Sequence, residues 1–592
     1  MNRSLITAAR GDKKLDLAIE NVQLVNVFTG EIYPCAIGIS EKTIVHVTKP
    51  GEITLDAKTR IDGQGKYAVP GFIDTHVHIE SSMLTPSKYA EVVLPHGTTT
   101  VVTDPHEIGN VLGTDGVRYM VEAAKNLDLR ILTFAPSCVP AAPSVETAGA
   151  DFTPEVIEEM LRWDGIDGLA EVMNYVGVIE EEERMMGILE AAERSGKIAQ
   201  GHAPTVSGRD LSAYLVAGID SDHECRTGEE ALEKLQAGMF VEVRESSFSF
   251  NMAPLAAVIK NLGYVPNVCF CSDDVLASDL LKQGHINHVV RRAIEEGISP
   301  INAIRFATLN AANRLKRTDI GAIAPGRIAD IVLLDDLCTV KVSEVFTAGE
   351  HVVAGGKLIK SQEQILTPAT YLNTIDVPTL SKNDFTIAVE PNCREVTVRV
   401  IEYDYSPGIP TNFMEVTLPV KDGEIDLPSY NGKKGPLNLV GVFHRHGKNQ
   451  NRALGILAGF GVTHGAVATT VAHDSHNLTV LGVDKDDMAL AANELKKGKG
   501  GMLAVKDGKV IAHLPLPLAG LMSLESAETL TPMIEEFVEV LQREIMPGQN
   551  PIMRLIVVTL PVIPKAKITD IGLVDVDTQE LLPLVIGQMV NS

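Results

Sequence analysis

A basic surplus is missing from this chain. Its formal net charge is −25, so no electropositive field draws in a phosphate backbone, and nucleic acid is not an expected partner. Long apolar runs are missing too. None approaches the roughly 18 residues of a membrane span, and the opening stretch MNRSLITAARGDKKLDL lacks the apolar core of a signal peptide. Membrane attachment is therefore not expected. Close cysteine pairs of the CxxC type are absent. The seven cysteines, Cys35, Cys138, Cys225, Cys269, Cys271, Cys338 and Cys393, form an odd, scattered set that reads as reduced thiols in a cytoplasm. There is no P-loop, no GxGxxG before a helix, no GxSxG elbow and no HExxH. Nucleotide-dependent transfer and serine hydrolysis are left without support.

What is present is a core-forming composition, 45% hydrophobic, over 592 residues. That length suits about three to four domains at roughly 150 residues each, or fewer if one is a large barrel. Residues 67–320 alternate strand-like apolar runs with helix-like stretches. Eight strands are expected, ending near GFIDTHVH, GTTTVVTD, RILTFAPS, DGLAEVM, KIAQGHAP, GIDSDHE, MFVEVRE and NVCFCSDD. Eight such alternations predict an α/β fold, a (β/α)8 TIM-like barrel, ahead of an open doubly wound sheet. Two β-rich pieces flank it, residues 1–66 and 321–365, and are expected to fold together as one small composite β-sandwich domain. From 366 to 592 the texture is mixed. DFTIAVE and EVTVRVIEY read as strands, DKDDMALAANELKKG and SAETLTPMIEEFVEVLQREI as helices, and MLAVKDGKVIAHL as a hairpin turning at Asp507–Gly508. This is the expected C-terminal α+β domain.

The chemistry begins at VPGFIDTHVHIESS. Residues i and i+2 of a strand face one side, so His76 and His78 point together at the top of the first strand, where two imidazoles can share a divalent cation. The PCxxC that nucleic-acid-type zinc deaminases need is absent. Other strand ends carry Glu171 (fourth), His202 (fifth), His223 (sixth) and Asp273 (eighth). Each alone has an ordinary explanation as a solvated acid, a turn residue, a hydrogen-bonded histidine or a helix cap. Together, four histidines and two carboxylates at the tops of five strands converge on one point. The cluster VAHDSHN, with His473, Asp474 and His476, reads more simply as a polar hydrogen-bonded loop than as a further metal site or a segment reaching over the barrel mouth. His285 and His288 read as structural, and Cys225, Cys269 and Cys271 as small buried strand residues.

With these residues in view, the chain resembles the amidohydrolase superfamily and, within it, the bacterial adenine deaminases. PGFIDTHVHIESS looks like the superfamily's first-strand motif and APGRIADIVLLDD like the return into its small β domain. GTTTVVTDPHEIGN and VATTVAHDSHNLTVLG are similar to more specific adenine deaminase segments.

The resemblance implies a binuclear site. His76, His78 and Asp273 would hold one metal, His202 and His223 the other, and Glu171 would bridge them. Many amidohydrolases use a carboxylated lysine as that bridge. No lysine ends the fourth strand here, which sets aside a lysine-carbamate site. The implied cofactors are two divalent metal ions, Mn2+ or Fe2+ ahead of Zn2+. The implied reaction is hydrolysis of adenine to hypoxanthine and ammonia. Asp273 is the expected proton carrier and Glu107 the expected proton donor to the ring, with Glu80, His106 and Asp274 as further substrate-side residues. A homo-oligomer is also implied. The alternatives are another amidohydrolase acting on a cyclic amide or N-acetyl substrate, and a non-catalytic barrel scaffold.

Overall fold

The protein is described here by a computed structural model covering residues 2–403, 411–430, 432–433, 435–548, 551–563 and 565–590. All eight expected parallel strands form: Phe72–Val77, Thr98–Thr103, Arg130–Ala135, Ile166–Val172, Ile198–Gly201, Ser221–Asp222, Phe240–Arg244 and Val268–Cys271. The first five make one arc and the last three another. Single parallel bridges link Ala199 to Ile219 and Val77 to Asp273. FIDTHV, TTTVVT and VCFC are buried at every position, as strands covered on both faces must be. Helices fill the connections. Glu183–Ser195, for example, stops where Gly196 adopts φ +69°, a left-handed turn that glycine takes without a Cβ penalty.

A nine-stranded sheet unites the chain pieces on either side of this series. The strand Tyr67–Pro70 pairs in parallel with Leu15–Val25 and antiparallel with Ile331–Leu334. Apolar side chains from both pieces, including Ile19, Ile37, Ile331 and Phe346, form one cluster. Pairing with both pieces puts Tyr67–Pro70 in the small sheet, although it lies past the expected boundary at 66. Gly71 then leads directly into the first parallel strand, where an added Cβ would lie 2.1 Å from Thr99 Oγ1.

The C-terminal part is built on a ten-stranded sheet, with helices Lys485–Lys497 and Ala527–Val540 among its other elements. Strands Gly501–Lys506 and Lys509–Pro515 form the expected hairpin. Asp507 and Gly508 both have positive φ, 52° and 71°, the backbone pattern of a type I′ turn. DFTIAVE, read as a strand, is not one. Ser381 and Asp384 cap a short 3-10 turn, Lys382–Phe385, and Phe385 is fully buried in the C-terminal core; local capping wins over the β-branched pattern.

This C-terminal part closes on the strand tops. Asp570 accepts from Thr147 N at 2.9 Å, and Asn477 Nδ2 donates to the Thr147 carbonyl at 2.9 Å. Leu84 and Ser523 form a further β-bridge.

Candidate active site

Six side chains named from the sequence meet at the carboxyl ends of the parallel strands. Glu171 lies at their centre. Its Oε1 is 3.2 Å from His78 Nε2 and 3.6 Å from His76 Nε2. Its Oε2 is 2.8 Å from His202 Nδ1 and 3.3 Å from His223 Nε2. One carboxylate therefore spans two imidazole pairs. Asp273 Oδ1 completes the first pair, 3.2 Å from His78 Nε2 and 3.6 Å from His76 Nε2. Burial works against an ionised Glu171, yet the surrounding imidazoles, His76 foremost, hold it well below the usual carboxylate range. Asp273 is depressed in the same way, its burial outweighed by Arg244 and the histidines.

The backbone fixes these positions. Asp273 N–H donates to the His76 carbonyl at 3.0 Å and His78 N–H to the Asp273 carbonyl at 3.2 Å. Asp273 itself has φ +58°, a left-handed conformation rarely adopted by non-glycine residues and found enriched at functional sites. Asp74 ties the same two strands together, since its Oδ1 accepts from both His76 N and Ser272 N. Below it, His285 pairs with Asp74 at 2.9 Å and contacts Tyr89 and Thr98, the structural role expected of it.

The ring orientations test whether a cation fits. His78 Nδ1 faces the Asp104 carbonyl at 3.1 Å, so that nitrogen carries the proton. His76 Nδ1 lies 3.3 Å from Gln200 Oε1, while Gln200 Nε2 donates to the Thr75 carbonyl. Each ring in its neutral form thus turns an Nε2 lone pair inward, and the two Nε2 atoms are 3.1 Å apart. Facing lone pairs beside two carboxylates suit divalent cations, with the outer Nδ1–H contacts acting as orienting bonds. His76, His78 and Asp273 form one group with ligand-type spacing, and His76, Glu171 and His223 another.

Above the cluster lies a cavity of about 690 Å³. Its floor includes His78, Glu171, His202, His223 and Asp273, and its C-terminal wall carries Ile556, Val557, Leu560 and Ile563. His106, Glu107 and Asp274 line it as well. Glu80 does not; it is buried behind the wall with Oε1 accepting from Ile108 N at 3.2 Å, and burial raises its carboxyl to about 7. Asp274 takes a hydrogen bond from Ser81 Oγ, and burial with Asp273 alongside raises its carboxyl. Glu107 meets the C-terminal loop: His473 Nδ1 is 2.8 Å from its Oε1, and His476 Nε2 contacts its Oε2.

Two groups here were not picked out from the sequence. Arg244 Nη1 contacts both Asp273 Oδ2 and Glu224 Oε1. The alternation in FVEVR, with Glu242 and Arg244 on one face, was its available signal. Asp104 holds His106 Nδ1 at 3.0 Å. VAHDSHN, singled out from the sequence and read first as a polar loop, brings His473 and Asp474 to the cavity from the far end of the chain.

Two family descriptions match: amidohydrolase family over residues 67–353, and adenine deaminase C-terminal domain over residues 408–580. The adenine deaminase of Moorella thermoacetica is 41% identical, the match covering 99% of this chain and 98% of that protein. Adenine deaminase 2 of Rhizobium johnstonii is 45% identical over 88% of this chain and 85% of that protein. Adenine deaminase 2 of Carboxydothermus hydrogenoformans is 39% identical over 98% and 99%. With matches of this identity running through both the strand-top cluster and the C-terminal half, the chain belongs to the adenine deaminase family.

Proposed function

We propose that this chain hydrolyses adenine to hypoxanthine and ammonia, with the reacting carbon seated over Glu171 and Asp273. The observation that carries the reading is the single Glu171 carboxylate set between two imidazole pairs. His76, His78 and Asp273 would hold one divalent cation and His202 and His223 a second, with Glu171 shared. Imidazole and carboxylate donors suit Mn2+, Fe2+ and Zn2+, and the family resemblance favours the first two. When bound, such cations lower the pKa of water from 15.7 to about 7 and so provide a nucleophile near neutral pH.

The chain's own groups manage the protons. Asp273 is kept ionised by Arg244, so its Oδ1 can take a proton from the attacking water and return it to the departing exocyclic nitrogen. One carboxylate then serves as base and later as acid. Attack at C6 also places charge on ring nitrogen N1, which needs a proton. Both Glu107 oxygens are faced by histidines of the C-terminal loop. Asp274 lines the cavity beside Asp273, and we assign the N1 proton to it in place of Glu107. The apolar wall from Ile556 to Ile563 suits a flat heterocycle and excludes water from its face.

The architecture proposed with this site is a (β/α)8 barrel over 71–320, a small β domain from 1–70 and 321–365, and a C-terminal domain over 366–592. The seven cysteines are unpaired, and no described helix is long and apolar enough to cross a membrane; a reducing cytoplasm suits the first of these facts. The test is loss of adenine ultraviolet absorbance with stoichiometric ammonia, compared across Mn2+, Fe2+ and Zn2+ protein. Acid release from lactams or acetamides without turnover of adenine overturns the reading.

A further inference from the structure

The loop Val471–Asn477 carries three ionisable side chains into the cavity wall, and the proton handling above uses none of them. They surround Glu107 on the face of His106 turned away from Glu171. His106 Nε2 is 3.6 Å from Glu107 Oε1 and 3.9 Å from Asp474 Oδ2. His473 Nδ1 is 2.8 Å from Glu107 Oε1 and 3.4 Å from Asp474 Oδ1. His106, Glu107 and Asp474 thus bring donor atoms close enough to one another for one ion, and His473 lies against the same two carboxylates. Around a tetrahedral cation with bonds of about 2.1 Å, neighbouring donors stand about 3.4 Å apart. The observed separations bracket that value.

The outer contacts point the same way. His106 Nδ1 is occupied by Asp104 Oδ2 at 3.0 Å, which leaves Nε2 toward the cluster. His476 Nδ1 accepts from Ala472 N at 3.2 Å, so its Nε2 carries a proton and donates to Glu107 Oε2. That bond turns Glu107 Oε1 inward. Arg445, fully buried, holds the loop from behind through the His476 carbonyl and the Ala519 carbonyl. Carboxylate–histidine and histidine–carboxylate pairs of this kind orient metal ligands. Independently, Asp474 Oδ2 has no hydrogen-bond partner among the described residues, although its side chain is only 3% exposed. Buried carboxylate oxygens left unpaired are costly, and a cation removes that cost.

We propose that His106, Glu107, His473 and Asp474 form a third divalent-cation site, distinct from the strand-top cluster, that ties the C-terminal loop across the cavity. Its mixed nitrogen and oxygen donors select a transition-metal ion over Ca2+ or Mg2+. The inference does not depend on which substrate is hydrolysed.

The full chain is stripped with chelator and titrated with Co2+ alone, with bound metal counted per chain and visible absorption recorded. Three equivalents are expected for the unmodified chain. The double variant His473→Gln, Asp474→Asn should bind one fewer, and the double variant His76→Asn, His202→Asn should keep one. Saturation of the unmodified chain at two equivalents overturns the proposal, as does a loop variant that binds as much as the unmodified chain. If the loop variant fails to fold, the strand-top variant decides alone: one tightly bound Co2+ supports the third site and none refutes it. Failure of the strand-top cluster to bind metal would show separately, as a loss confined to the other two equivalents.

Discussion

Arg244 holds Asp273 by its outer oxygen, Oδ2, while the inner oxygen, Oδ1, lies 3.2 Å from His78. The two oxygens of one carboxylate are thereby given different tasks. One is anchored by a buried cation and the other is left to face the reacting groups.

Asp273→Asn removes the proton carrier and should lower kcat about 10²- to 10⁴-fold, the range for loss of a positioned acid–base group. Circular dichroism should be unchanged. A variant with near-normal turnover would take Asp273 out of the mechanism.

Arg244→Met leaves Asp273 and Glu224 buried without their shared cation. Breaking such a pair costs about 3–5 kcal/mol, read as a lower urea midpoint. Arg244 depresses both carboxyls, so its loss raises their pKa values. The acidic limb of the kcat profile should therefore move to higher pH; an unmoved limb would reject Arg244 as the group tuning Asp273.

Gln200→Leu removes the acceptor that orients His76 through Nδ1. Metal affinity should fall about 10- to 100-fold while metal stoichiometry at saturation stays the same. Competition with a chromophoric chelator measures this, and equal affinity in both proteins would exclude an orienting role.

Asp274→Asn should lower kcat with bound metal unchanged, since Asp274 is assigned to the ring nitrogen and to no cation. The expected loss is again about 10²-fold or more. Should Glu107→Gln alone show that loss with metal content intact, the proton belongs to Glu107 instead.

Glu146 supplies a pH test remote from turnover. Burial raises its carboxyl to about 8, while the unfolded value is about 4.3. Between these pH values the folded chain retains a proton that the unfolded chain has lost, so stability falls as pH rises from about 4.3 to about 8. Glu146→Gln can still accept from Ala142 N–H and should flatten that decline. Parallel urea-midpoint slopes in the two proteins between pH 5 and pH 8 would contradict the assignment.

Much of this molecule could be read along the chain because its chemistry sits at strand ends. Strand alternation makes His76 and His78 neighbours whatever surrounds them, and runs such as TTTVVT and VCFC declare themselves as doubly covered strands through composition alone. Glu171, His202, His223 and Asp273 were legible for a related reason: each stands at the end of an expected strand. Contacts between distant segments were not. The His476 to Glu107 contact joins residues 369 positions apart, and no periodicity encodes it. VAHDSHN reads locally as a polar loop, and only docking of the C-terminal sheet turns it toward the cavity. DFTIAVE shows the converse, a strand-like pattern that becomes a capped turn once Phe385 finds the core. Local periodicity determined the parallel strands and the residues at their tops; tertiary packing alone decided which buried carboxylates are faced by arginine, which by histidine, and which are left open, because those pairings depend on burial that no single segment creates.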